Sequence, residues 1–139
     1  GLVILTAVLV WTNISLIVHA QVTKDRRTTG KIEFVRDADT IHVRHKGKIV
    51  RIRLHGIDAA ELSTPEGRKA RDWAVRAWEG KSAVCEPLGK SYNRIVARCQ
   101  IDGKDIGLQI IKSGHACEWR KYSKGYYRQR ETCESRGLR

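Results

Sequence analysis

The sequence predicts an α+β domain, a five-stranded OB-type β-barrel with about three helices. Three observations point to it. Two stretches of alternating apolar and polar residues flank a Lys46-Gly47 turn, an amphipathic helical pattern between Thr64 and Gly80 interrupts the strands, and two further strand patterns follow that helix.

In chain order, Lys31–Arg36 reads as a short first strand and Asp37-Ala38-Asp39 as a turn. The second strand, Thr40–Lys46, sets Ile41 and Val43 on one face. Lys48–His55 alternates strictly, with Val50, Ile52 and Leu54 on one side and Arg51 and Arg53 on the other. That pattern assigns the arginines to the exposed face of a half-buried strand. The helix opens with Thr64 as N-cap, Pro65 in its first position and Glu66 near its positive end. Ala70, Trp73, Ala74, Ala77 and Trp78 form its apolar stripe, and Gly80 closes it. Ser82–Glu86 and Asn93–Ile101 are the fourth and fifth strands; in the fifth, Ile95, Ala97, Cys99 and Ile101 point inward. After an Asp102-Gly103 turn, Ile106–Lys112 reads as a short helix and Tyr126–Ser135 as a last one.

Residues 2–18 carry no charge, and Val18-His19-Ala20 before Gln21 has the small and β-branched residues that signal peptidase accepts. Residues 1–20 are therefore expected to be a signal peptide cut after Ala20, or, if retained, a membrane anchor. Residues 21–29 are expected to be a flexible leader, and residues 30–139 the folded domain. The corresponding location is secreted or periplasmic, with anchoring by an uncleaved segment as the alternative. The 139 residues include 27 Lys and Arg against 15 acids, a formal net charge of +12, and the sequence pI is near 10.0. Such a charge attracts polyanions, nucleic acid first, with an anionic membrane or polysaccharide behind it. Four cysteines in an exported chain suggest two disulfides, for which three pairings are open. No pair has C-x-x-C spacing, so a zinc site is not expected.

Three carboxylates stand at strand ends: Asp39, Asp58 and Glu61. Gathered together they would repel one another unless a hard cation joined them, and calcium or magnesium takes oxygen ligands. Arg53 and Arg94 lie on the strands beside them. Their forked donors match the charge that builds on phosphate oxygens during phosphodiester cleavage. The plain alternative is that acids favour turns and arginines favour sheet surfaces.

Asp37-Ala38-Asp39-Thr40, then Arg53-Leu54-His55-Gly56-Ile57-Asp58-Ala59-Ala60-Glu61, then Tyr92-Asn93-Arg94, resemble the staphylococcal-nuclease (thermonuclease-like) family in order and spacing. The likeness runs from about Gly30 to the C-terminus. It implies the fold of that family and calcium-dependent hydrolysis of DNA or RNA to 3′-phosphate ends. Asp39, Asp58 and the backbone carbonyl of Ala59 would be the calcium ligands. Glu61 would be the general base or the residue that positions the attacking water, and Arg53 and Arg94 would bind the phosphate. Tyr92 and Tyr122 match positions near the nucleotide, where stacking tolerates any base. Ala59-Ala60 stands where relatives usually have Thr-Pro or Ala-Pro, which frees the loop that carries Glu61. The implied fold pairs the fourth and fifth strands as a hairpin with Cys85 and Cys99 inward, giving Cys85–Cys99 and, by exclusion, Cys117–Cys133. The expected partner is the nucleic-acid substrate, met as a monomer. A nucleic-acid-binding module on the same fold without catalysis is the alternative, as is a basic protein held at the cell envelope. His42, His45, His55 and His115 lack metal-ligand spacing, and the run from Arg120 to Lys124 is either a strand guide or a solvated loop.

Overall fold

The computed structural model describes residues 25–139. The expected signal segment and residues 21–24 of the expected leader lie outside the described residues. Five long strands form the barrel: β1 (Thr28–Asp37), β2 (Thr40–His45), β3 (Lys48–Leu54), β5 (Ser82–Ser91) and β6 (Arg94–Ile101). Three two-residue strands, β4 (Ile57–Asp58), β7 (Lys104–Asp105) and β8 (Cys117–Glu118), sit beside it. The order is β3-β2-β1-β5-β6, and a parallel pairing of β3 with β6 (Ile52 opposite Ile95, Leu54 opposite Ala97) closes the sheet on itself. Closure removes the open edges that an isolated sheet would expose.

The period-two pattern explains the core side of β2, β3 and β6, while in β1 an irregularity between Ile32 and Phe34 turns Ile32 and Val35 inward and Phe34 outward. Ile32, Val35, Ile41, Val43, Ile52, Leu54 and Ala97 are all at most 2 % exposed, and each lies on the inward face of its strand. Lys46 and Gly47 both take positive φ (49° and 78°), the backbone a two-residue hairpin turn needs. Cys85 and Cys99 face each other across β5 and β6 and are bonded, as are Cys117 and Cys133.

Helix α1 (Pro65–Trp78) begins as its capping residues predict: the Thr64 hydroxyl accepts a hydrogen bond from Gly67 N at 3.1 Å. It buries Gly67, Ala70, Ala74 and Trp78 against the barrel. Trp73 is half-buried and meets Trp78 edge-on at 5.8 Å. Two shorter helices follow, α2 (Ile106–Lys112) and α3 (Arg120–Ser123).

The three two-residue strands and α3 were not expected, and three of the expected elements differ from the sequence reading. Strand β1 starts at Thr28, because Thr28 and Thr29 pair with Cys85 and Val84. Strand β5 runs past Glu86 to Ser91, absorbing Pro87 at an irregularity between Pro87 and Gly89. The tail from Tyr126 to Ser135 is a series of turns and not a helix. Glu118 holds the tail in place: its fully buried carboxylate accepts hydrogen bonds from Ser123 Oγ (2.6 Å), Tyr127 N (2.8 Å) and Gln129 N (3.1 Å). Tyr127 N and Gln129 N would be unpartnered donors in the first turn of such a helix, so the break itself comes from the left-handed backbone of Arg128, φ 55°. Positive φ at Gly125 and the Cys117–Cys133 bond reinforce the turns.

Candidate functional site

The expected charged residues of the site come from four places: the β1–β2 turn, the end of β3 with β4, the loop before α1, and the start of β6. Arg53 is at the centre. Alternation assigns it to an exposed face, yet its side chain is only 14 % exposed. Its Nη1 donates to the Leu54 carbonyl at 2.6 Å and its Nη2 to the Ile57 carbonyl at 2.8 Å. The same Nη2 lies 3.5 Å from Asp39 Oδ2 and 3.6 Å from Asp58 Oδ1. Two carboxylates separated by 19 residues in sequence (58 − 39) thus meet at one guanidinium. The carbonyl bonds hold that guanidinium in place, which is the use of a planar, five-donor group.

Asp39 is held by its own turn. Thr40 Oγ1 donates to Asp39 Oδ1 at 3.0 Å, and Asp39 N donates to Asp37 Oδ1 at 3.1 Å. Burial pushes the Asp39 carboxyl up to about 7, against the opposing pull of Arg53. Asp58 is buried on β4, and its Oδ2 accepts from Arg139 Nε at 2.7 Å. Arg139 stacks 4.8 Å over the Trp119 ring. Its guanidinium is held further in its charged form by the bond to Asp58 and by the fields of Glu61 and Asp39.

Arg94 opens β6. Its Nη2 donates to Ser91 Oγ at 3.2 Å, and its Nη1 reaches Thr40 Oγ1 at 3.4 Å. Thr40 is the cross-strand neighbour of Arg53, and its hydroxyl bonds both Arg94 and Asp39. Glu61 is exposed at the mouth of a cavity of about 610 Å³, which it lines together with Asp58, Ala59 and Arg139. The missing proline at Ala60 is offset by local bonds. The Glu61 carbonyl accepts from Thr64 N (2.9 Å) and Thr64 Oγ1 (2.7 Å), and Gly67 packs directly on it.

Asp39, Arg53 and Asp58 are therefore assembled, Arg94 joins them through the Thr40 hydroxyl, and Glu61 lines the cavity that Asp58 also lines. Tyr92 stands 97 % exposed in the β5–β6 turn, two residues from Arg94, while Tyr122 on α3 packs edge-on against Trp119 at 4.5 Å. Among the described residues no aromatic contact joins the two tyrosines, so they stand as separate positions. Among those residues, no three His, Cys, Asp or Glu side chains group as metal ligands. The candidate donor set is two carboxylates and a backbone carbonyl. It suits a hard cation, since a cation beside Asp39 would offset the burial that disfavours its charged form.

Sequence reasoning missed Thr40, Arg139, Trp119 and Gly67. Gly67 alone left a signal, as a glycine in the first turn of a helix directly after the Glu61 loop. Thr40 sat beside Asp39 but carried no charge to draw notice, and nothing local marks Arg139 or Trp119.

The model of the family described as staphylococcal nuclease homologue matches residues 51–136. That span holds Arg53, Asp58, Glu61 and Arg94, and Asp39 precedes it. An uncharacterized endonuclease of Haemophilus influenzae is 28% identical over 116 residues, covering 81% of this chain and 65% of that protein. An uncharacterized endonuclease of Escherichia coli is 31% identical over 96 residues, 68% and 63% of the two chains. A probable staphylococcal-like nuclease of Oryza sativa subsp. japonica is 36% identical over 75 residues, 53% of this chain and 20% of that one. The chain thus spans from a fifth to just under two thirds of the length of these relatives. The family match, over a closed five-stranded barrel that draws Asp39 and Asp58 onto Arg53, leads to one conclusion: this chain belongs to the family of staphylococcal nuclease homologues.

Proposed function

We propose that the chain is an exported, calcium-dependent nuclease that hydrolyses phosphodiester bonds of DNA, RNA or both, acts as a monomer and leaves 3′-phosphate ends. One observation carries the reading: Asp39 and Asp58 converge on Arg53, and Arg94 bonds the Thr40 hydroxyl that also bonds Asp39. Asp39, Asp58 and the Ala59 carbonyl would hold the ion. Bound calcium supplies neutralisation and orientation of the phosphate.

The chain's own residues account for the rest. Arg53, fixed by the Leu54 and Ile57 carbonyls, presents its guanidinium to an equatorial phosphate oxygen without reorganising. Arg94 binds a second oxygen and stabilises the departing 5′ oxygen. Glu61 takes a proton from water as the water oxygen bonds to phosphorus, while the bond from phosphorus to the 5′ oxygen breaks. Its exposed carboxylate on a tethered loop is suited to that task. Two disulfides agree with an oxidising compartment. Among the described residues, no helix is long and apolar enough to cross a membrane. The test is digestion of denatured DNA with calcium or with a chelator. Cleavage that needs calcium and vanishes in Glu61→Gln is expected; tight binding without cleavage would leave only a binding module.

A further inference from the structure

Outside the catalytic cluster, the outer face of β1, β2 and β3 carries one row whose chemistry the mechanism does not use. Phe34 is opposite His42, and His42 is opposite Arg51, so the three form a single cross-strand row. The next row on the same face contains Thr40 and Arg53. Two residues along a strand separate the rows, about 6.6 Å, comparable with one nucleotide step of an extended single strand.

A lone exposed phenylalanine needs no ligand. This one is 42 % exposed and is framed on two sides: His42 meets it edge-on at 5.3 Å, and the Arg71 guanidinium lies 5.5 Å from its ring centre. Arg71 is itself anchored, donating from Nε to the Val35 and Arg36 carbonyls at 3.2 and 3.1 Å. Among the described residues, Arg36, Arg51 and Arg71 have no carboxylate partner, while the nearby Glu33 is taken up by Arg44. His42 is biased to its neutral form by burial and by the charges of Arg51 and Arg36. It therefore adds a flat polar edge to a face whose charge comes from guanidiniums.

We infer that the Phe34–His42–Arg51 row is a second nucleic-acid station, where Phe34 stacks a base and Arg51 holds a phosphate of the nucleotide one step from the scissile bond. Base stacking and a basic track together are what sequence-tolerant binding of a single strand requires. The inference rests on the nuclease reading for its direction, since the row abuts Arg53.

The experiment measures binding of a fluorescent ten-nucleotide single strand and of a dinucleotide by anisotropy, in the Glu61→Gln protein with calcium, across a salt series. Phe34→Leu is expected to weaken the ten-mer roughly five- to hundredfold, the loss of one stacked base. Phe34→Trp should restore it, which a purely packing role would not predict. Arg51→Ala should flatten the logarithmic salt slope for the ten-mer by about 0.7, one single-strand phosphate contact. Dinucleotide binding should not change in any of these variants. Unaltered ten-mer affinity in Phe34→Leu, or an equal loss on both ligands, overturns the station. Binding with the expected pattern in a protein whose Glu61-intact form never cleaves would overturn the nuclease reading and leave the station standing.

Discussion

Gly67 offers a way to move Glu61 without touching it. Gly67 lies in the first turn of α1, directly against the loop that carries Glu61. A methyl group there would lie 1.9 Å from the Glu61 carbonyl oxygen, 2.4 Å from its carbon and 2.8 Å from the Ala60 carbonyl oxygen. Ordinary contact begins near 3.4 Å, so relief demands a shift of about 1.5 Å (3.4 − 1.9). The helix cannot supply that shift, because Ala70, Ala74 and Trp78 are buried against the barrel at 1 % exposure or less. The loop must move, losing the bonds from Thr64 to the Glu61 carbonyl. A displacement of about 1 Å in a catalytic group can cost about a hundredfold in rate. Stability changes less, since alanine gains up to about 1 kcal/mol of helix propensity against about 1–2 kcal/mol of lost local bonds. Gly67→Ala is therefore expected to lower kcat on a fluorogenic oligonucleotide at least about a hundredfold while thermal unfolding shifts only slightly. A kcat within about threefold of the parent, well short of that expected loss, would refute the claim that Gly67 positions the Glu61 loop.

Arg94→Ala should lower kcat by about two orders of magnitude or more, as loss of a transition-state donor does, and barely alter melting, because its protein partners are two hydroxyls. Near-normal turnover would remove Arg94 from the mechanism. Calcium should stabilise the parent by mass action, by about 2.7 kcal/mol at a hundred times its dissociation constant, and so raise its melting temperature; in Asp58→Asn that rise should disappear, and its persistence would place the ion elsewhere. Glu118→Gln should cost about 2–4 kcal/mol in urea unfolding, because an amide nitrogen cannot accept what the buried carboxylate accepts. A change below about 1 kcal/mol, the worth of one ordinary hydrogen bond, would mean that the tail is held by other contacts. Reduction of the two disulfides, with separations of 14 and 16 residues, should remove about 3 kcal/mol each on the chain-entropy account. An unchanged urea midpoint in reductant would contradict it.

By itself, the sequence determined whatever depends on a short repeat. Alternation over Lys48–Leu54 put Ile52 and Leu54 in the core, and both are at most 2 % exposed, because a strand's side chains change sides at every residue. The Thr64 cap and the Lys46-Gly47 turn were equally local, each decided by one residue's backbone or hydroxyl. The order of Asp39, Arg53, Asp58, Glu61 and Arg94 was visible as a family pattern. Tertiary structure alone decided which of these groups touch. Arg53 reads as exposed because alternation describes one sheet face, while the chain folds Asp39 from the β1–β2 turn and Asp58 from β4 over it. Arg139 reaches Asp58 across 81 residues and Arg94 reaches Thr40 across 54; no local period encodes such approaches. The tail turned because Arg128 takes a left-handed backbone while the Cys117–Cys133 bond and the buried Glu118 carboxylate tie it to β8, contacts that outweigh the weak helical preference of a short segment.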